Sequence, residues 1–139
     1  MSHPLLHAER SAKRWGGTAD DYLEIHCWMD STKAHCPDAR HRLLLHNSFG
    51  MLLAEQVFGP AIMNSAQRRV FVRDIAAQHI LDDLGFIPTV GECLAGLTPE
   101  PWMAGARKRV SSLPPFSPEQ GVSLGDDRPL SATDGLGAG

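Results

Sequence analysis

Residues 19–58 read ADDYLEIHCWMDSTKAHCPDARHRLLLHNSFGMLLAEQVF, a stretch that predicts two helices joined by a tight corner. Residues 19–33 carry apolar side chains at helical spacing, and the Leu-rich residues 38–58 end before Gly59-Pro60, a helix stop. The Cys36-Pro37 step between them is typical of a turn. Since a short connection makes neighbouring helices antiparallel, residues equally far from the corner are expected at the same height.

The flanking sequence predicts further helices and one hairpin. Gly16-Gly17 and Gly85 are helix stops, and Thr89 with Glu92 has the spacing of a capping box. The predicted elements are helices over residues 5–15, 73–84 and about 90–97, and a β-hairpin over residues 61–63 and 70–72. The fold class predicted is therefore mainly α, a small helical bundle with a short β-hairpin.

The end of the chain differs from the rest in composition. From Ser111 onward it is rich in Pro, Gly and Ser and lacks apolar periodicity, so it cannot bury enough surface to offset the entropy of ordering. We expect a helical domain over residues 1–106 and a disordered tail over residues 107–139. All seven histidines precede residue 80, so any histidine chemistry belongs to the helical domain.

Composition excludes some classes of function. The 139-residue chain has a net charge of −3 with scattered Lys and Arg, which argues against nucleic acid as a partner. Its apolar runs fall short of the roughly 20 residues of a membrane span, and Met1-Ser2-His3-Pro4 begins no secretion signal. We expect a cytoplasmic protein; its small-molecule or protein partner and its oligomeric state are not indicated by the sequence.

The two helices around the corner place candidate metal ligands near one another. His26 and Asp30 are four residues apart and share a helix face. The hairpin geometry puts His26 about level with His46, and Asp30 about level with His41. His41 and His46 point about 140° apart around a helix axis, and His46 is the better ligand because Gly50, one turn on, indicates close backbone approach.

A second pair, His79 and Asp83, repeats the four-residue spacing on a later helix. Neutral imidazole and carboxylate suit divalent transition metals such as Zn, Fe, Mn or Ni. The predicted metal ligands are His26, Asp30, His46, His79 and Asp83, and His41 is the predicted general base or holds a neighbouring group. The hypothesis is a metal-binding helical protein, and more specifically a metal-dependent hydrolase.

Two alternatives use the same residues without catalysis. The histidines and aspartates could pair with one another and brace the helices of a non-catalytic, phage-related interaction protein. Clustered histidines could also form a pH-responsive site, because they titrate near neutrality. If the cluster binds an anion, Arg42 and Arg73 are the residues to test.

Other polar and reactive residues have simpler interpretations. Cys27, Cys36 and Cys93 have no CxxC spacing and are expected to be small buried side chains. His3 and His7 lie near the chain terminus and are expected to be exposed. Glu55 falls on the face opposite His46, so a salt bridge with an arginine is expected.

Several short motifs resemble a family of small uncharacterised proteins from bacteria and their phages, over about residues 3–103. The resemblance implies a single folded unit and no particular activity. The motifs that carry it are Trp15-Gly16-Gly17, Asp21-Tyr22, Ile25-His26, Arg40-His41-Arg42, His46, Glu55, Phe58-Gly59, Val72-Arg73-Asp74-Ile75, Gln78-His79, Asp83-Leu84-Gly85 and Ile87-Pro88-Thr89.

Residues 42–47 are also loosely similar to the first motif of the HD-domain metal-dependent phosphohydrolases. In those helical enzymes a histidine, a later His-Asp doublet and a final aspartate hold the metal. His79 falls where the doublet would begin, but Ile80 follows it instead of aspartate, and Asp126 and Asp127 lie in the predicted tail. This departure puts the ligand set of that family in doubt here.

Overall fold

The computed structural model describes residues 3–105, which belong to two units, residues 3–97 and residues 98–105. The second unit contains a 3-10 turn at Pro101–Ala104. The first unit contains six α-helices, two strands and two further 3-10 turns. In chain order they are α1 (Pro4–Trp15), α2 (Asp20–Met29), the turns Ser31–Ala34 and Ala39–His41, α3 (Arg42–Leu45), α4 (Ser48–Phe58), β1 (Ala61–Met63), β2 (Arg69–Phe71), α5 (Val72–Leu84) and α6 (Val90–Leu94).

The core of the first unit lies among its four longer helices. Helix α2 packs against α1, α4 and α5, and α4 also packs along α5. The buried apolar side chains of this core are Ala8, Tyr22, Ile25, Met29, Ala54, Val70, Val72, Ile75, Ala76 and Ile80. Strands β1 and β2 pair antiparallel, with Ile62 opposite Val70. The predicted mainly helical bundle with a short hairpin is therefore confirmed.

Helix ends agree with the local signals in the sequence. Helix α1 ends at Gly16, and α5 ends at Gly85, which adopts a left-handed conformation with φ of +82°. Thr89 and Glu92 form both hydrogen bonds of a capping box at the start of α6. That helix ends at Leu94, three residues earlier than predicted.

The two helices predicted around the corner are shorter than expected. Helix α2 ends at Met29, and a 3-10 turn occupies the residues that were predicted to extend it. The predicted helix over residues 38–58 is divided at His46 and Asn47, because the Asn47 side chain accepts a hydrogen bond from the Gly50 N–H at 2.9 Å. An asparagine that caps a new helix in this way competes with continuation of the preceding one.

The predicted tail, residues 107–139, lies outside the described residues, and the boundary at residue 106 stays a prediction. Within residues 3–105, no helix combines the length and the apolar character that crossing a bilayer requires. The cytoplasmic location also stays a prediction.

Candidate metal centre

Four buried side chains from three segments of the fold meet inside the first unit. Asp30 follows the last turn of α2, His46 lies at the break between α3 and α4, and His79 and Asp83 lie one turn apart on α5. Each offers one ligand atom, and the four atoms lie within 4.8 Å of one another. His46 and His79 are fully buried, and the side chains of Asp30 and Asp83 are 5% and 2% exposed.

The distances between these ligand atoms are short and similar. His46 Nε2 lies 3.1 Å from Asp83 Oδ2 and 3.6 Å from Asp30 Oδ1. His79 Nε2 lies 3.4 Å from Asp83 Oδ2 and 3.3 Å from Asp30 Oδ1. Ligands about 2.1 Å from a tetrahedral ion lie about 3.4 Å apart, so these four nitrogen–oxygen distances are close to those around a transition metal, and the whole set, which lies within 4.8 Å, would contract slightly around an ion.

A chain of hydrogen bonds behind His79 orients its ring. His79 Nδ1 lies 3.0 Å from His26 Nδ1, and His26 Nε2 lies 2.8 Å from Ser11 Oγ. The Ser11 hydroxyl donates to Gln78 Oε1 at 2.7 Å, and the Gln78 amide donates to Asp82 Oδ2 at 3.1 Å. A neutral His79 with its proton on Nδ1, donated to His26, would offer its Nε2 lone pair to a metal ion, whereas without an ion a proton on Nε2 can be donated to Asp30 Oδ1 at 3.3 Å.

His26, a predicted ligand, therefore supports His79 from behind and is not one of the four clustered ligand residues. Burial, with the nearby His79 second in importance, lowers the pKa of His26 to about 3. His26 is thus neutral at pH 7, and a neutral imidazole can accept the hydrogen bond from His79 while donating to Ser11.

The carboxylates of the cluster are held in the ionised form. Burial alone would raise the pKa of Asp83, but its hydrogen bond with His46 and its close contacts with His7 and His79 hold the pKa well below its usual range. The pKa of Asp30 is also lowered, because its contacts with His79 outweigh burial. Burial opposes protonation of His79, but its hydrogen bonds with both aspartates give it a net raised pKa. Two ionised carboxylates in a buried site need nearby positive charge, which side chains or a metal ion can supply.

His41 lies beside the cluster with one nitrogen free. Its ring is fully buried and stands edge-on to that of His46, with 5.3 Å between centroids. The Thr32 hydroxyl donates to the His41 carbonyl oxygen at 3.1 Å, so Thr32 Oγ1 is left to accept from His41 Nδ1 at 3.1 Å. The Nε2 atom has no hydrogen-bond partner. Burial lowers the pKa of His41, so Nε2 presents a lone pair.

The pairing predicted from the helix hairpin differs from the structure. Asp30 was expected level with His41, but the carboxylate of Asp30 lies at His46 instead. The reason is the break between α3 and α4 at His46. Two short helices replace the predicted continuous one, which changes the direction of each ring.

His7, predicted to be exposed, is fully buried, so that prediction is wrong. Its Nδ1 lies 3.1 Å from Asp82 Oδ2, its Nε2 lies 3.3 Å from Asp83 Oδ1, and its ring centroid lies 4.0 Å from that of His79. The residue extends the cluster towards α1. The prediction from a fraying terminus failed because α1 packs against α2 and α5, which buries His7, Ala8 and Ser11.

One sequence signal could have placed His7 in the core. His7, Ser11 and Trp15 follow one another at four-residue intervals on α1, and Ala8 adjoins the same stripe. Residues at that spacing share a helix face, so the face that packs Trp15 against the core is expected to bury His7 as well. His3, four residues earlier, is exposed as predicted, and its side chain accepts a hydrogen bond from the Leu5 N–H.

The cysteines do not fill the core. Cys27 is exposed, and Cys36 and Cys93 are half-buried, so the prediction of small buried side chains is wrong for all three. Cys27 lies on α2 directly after buried His26, and neighbours on a helix point about 100° apart, which turns the thiol to solvent.

The two arginines proposed for anion binding have different surroundings. Arg73 forms the expected salt bridge with Glu55, its Nε donating to Oε2 at 3.1 Å. Arg42 instead approaches the cluster, with Nη2 at 3.9 Å from Asp83 Oδ2. Only Arg42 of this pair therefore lies beside the candidate metal ligands.

The fold and site together define a helical protein with a buried His/Asp cluster that could hold a metal ion. Residues 2–103 match the family described as a domain of unknown function, DUF6915, and the chain belongs to that family. No curated protein and no solved structure gives a match. The resemblance to an uncharacterised family is confirmed, while the bacterial and phage origin and the likeness to HD-domain enzymes stay predictions.

Proposed function

We propose that this protein binds one divalent transition metal ion through Asp30, His46, His79 and Asp83, and that it is a metal-dependent hydrolase. The observation that carries the proposal is the convergence of four buried ligand atoms, from three separate segments, within 4.8 Å. Two imidazole nitrogens and two carboxylate oxygens suit Zn, Fe, Mn or Ni.

The alternative, a cluster that only braces the helices, explains the orphaned atoms less well. Buried polar groups in a structural network are expected to have partners. Here His41 Nε2 and His46 Nδ1 are buried without a hydrogen bond, and Asp30 Oδ2, which also lacks one, has an ion pair with Lys33. Free atoms at the edge of a cluster are suited to a ligand that the protein itself does not supply.

The hydrolase proposal rests on His41. A divalent ion held by these four residues would need five-coordinate or higher geometry to bind a water, and it would then lower the pKa of that water. The Nε2 lone pair of His41, fixed by the Thr32 contact at Nδ1, is available to accept a proton from such a water. Buried side chains around the centre limit solvent access, which strengthens electrostatic interactions there.

Protein purified without a polyhistidine tag is expected to contain close to one equivalent of a transition metal, measured by elemental analysis. A chelator should lower its melting temperature, because an ion that binds only the folded state stabilises that state. His46→Ala should bind no metal and melt at the same temperature with and without chelator. His35→Ala, a change at an exposed histidine outside the four clustered ligand residues, is the control and should keep the ion.

Less than half an equivalent of metal in the wild type, unchanged after incubation with Zn, Mn, Fe and Ni salts, would contradict the proposal. A melting temperature that His46→Ala lowers equally with and without chelator would favour the purely structural cluster.

The His41→Gln variant is expected to keep its metal and to lose hydrolytic activity. Loss of a general base typically slows a reaction about 10²–10⁴-fold. The measurement compares metal-loaded wild type and variant on chromogenic carboxylate and phosphate esters, with metal content determined on the same samples. A variant as active as the wild type would remove His41 from the mechanism and leave the metal site standing.

A further inference from the structure

Two cations lie beside the aspartates of the proposed metal centre. Lys33 Nζ lies 3.6 Å from Asp30 Oδ2, and Arg42 Nη2 lies 3.9 Å from Asp83 Oδ2. Their side chains are 32% and 20% exposed, whereas the four candidate ligands are almost completely buried. Lys33 and Arg42 therefore lie on the side of the buried cluster that is closer to solvent.

The charge balance of the cluster changes when a metal ion is added. Without an ion, the two carboxylates face Lys33 and Arg42, and the opposite charges cancel. A divalent ion bound to both carboxylates would neutralise them and leave the two side-chain cations without a counter-charge. A buried or half-buried excess of positive charge is unfavourable unless an anion compensates it.

The opposite side of the cluster carries no such excess. There Asp82 accepts from Gln78 and lies 3.3 Å from Arg10 Nη1 and 3.1 Å from His7 Nδ1. The Asp82 carboxylate thus balances Arg10 locally. The uncompensated charge after metal binding falls on the side of Lys33 and Arg42.

Hydrogen-bond donors on that side also lack acceptors. Arg42 Nε is buried and has no hydrogen-bond partner, and the 3.9 Å approach of Nη2 to Asp83 is too long for a hydrogen bond. A guanidinium with its fork unoccupied is suited to bidentate contact with the oxygens of a phosphate or carboxylate.

We infer that the metal-loaded centre takes an oxyanion substrate, with its anionic oxygens against Arg42 and Lys33. The inference rests on the proposed function and deepens it, because it specifies the substrate class of the same site. The shared chemistry is a phosphate or carboxylate group, and the experiment below separates these two sources.

Inorganic phosphate and acetate are the probes, titrated by calorimetry into the metal-loaded and metal-free wild type. Phosphate or acetate is expected to bind the loaded protein at least about tenfold tighter than the metal-free protein, and the tighter probe identifies the source. Arg42→Gln should weaken that binding about tenfold or more while metal content stays unchanged. Arg73→Gln is the matched control, because Arg73 lies about 15 Å from Asp83 along α5 and pairs with Glu55. This variant should bind the anion as tightly as the wild type.

Equal anion affinity in the wild type and in Arg42→Gln, both metal-loaded, would overturn this inference and leave the metal site intact. Equal affinity with and without the ion would overturn it as well. A wild type that binds no metal would overturn both proposals, so the two failures are distinguishable. If Arg42→Gln loses its metal, the comparison is made with Lys33→Gln, because Lys33 lies beside the other aspartate, Asp30. Metal-loaded Lys33→Gln that binds the anion as tightly as the wild type would then overturn the inference.

Discussion

Asp83→Asn is expected to weaken metal binding by well over the 10–100-fold typical of changes outside the coordination sphere. Asp83 is the hub of the cluster: its Oδ2 lies 3.1 Å from His46 Nε2 and 3.4 Å from His79 Nε2, and its Oδ1 lies 3.3 Å from His7 Nε2. The amide has no charge to balance an ion and is a weaker ligand than a carboxylate.

The same change should also destabilise the metal-free protein, by about 3 kcal/mol, because removing one partner of a buried charged pair leaves the others uncompensated. Denaturant unfolding in chelator measures this term, and metal titration of the folded variant measures the first. Asp74→Asn, on an exposed residue of the same helix, is the control for charge and should change neither quantity appreciably. An Asp83→Asn variant that binds metal as tightly as the wild type would exclude Asp83 as a ligand.

The fold was predictable where local signals act within a few residues. The Gly16-Gly17 stop, the left-handed Gly85 and the Thr89 capping box each satisfy helix-end groups with neighbouring atoms, and all lie at helix ends as expected. The division of residues 38–58 was missed, because leucine periodicity continues across it. The signal that was overlooked is Asn47, a strong helix N-cap in the middle of that pattern.

The candidate site was predictable in its residue types and only in part in its geometry. The spacing of Asp83 and His79 brought both to one face of α5, which needs no tertiary information. The separation of roles between His26 and His79 depends on how α1 packs, since Ser11 supplies the partner of His26. The burial of His7 also depends on how α1 packs against α2 and α5, and the sequence alone does not give that packing. Contacts between distant helices decide which imidazole meets the carboxylates and which one supports it.

Gly50→Ala is expected to destabilise the protein by about 3 kcal/mol, the upper end of the usual range for overpacking. A Cβ at Gly50 would overlap the carbonyl oxygen of Leu45, which is backbone and cannot rotate away. Gly50 was predicted to mark a close backbone approach within one long helix. The approach is instead between the first turn of α4 and the end of α3 at Leu45. The break between α3 and α4 also fixes His46, so the variant should displace a ligand and weaken metal binding together with stability.

Gly91→Ala provides the matched control for this prediction. Gly91 is also helical, but a Cβ there would meet only Thr89 Oγ1 at an ordinary 3.7 Å. Because alanine is favoured over glycine inside helices, this control should leave stability unchanged or raise it by up to about 1 kcal/mol. Denaturant unfolding with chelator and metal titration apply to both variants. If Gly50→Ala unfolds like Gly91→Ala and keeps the wild-type metal affinity, the turn at Leu45 does not control the position of His46. The ring is then held by its side-chain contacts, which include Asp30, Asp83 and the His41 ring.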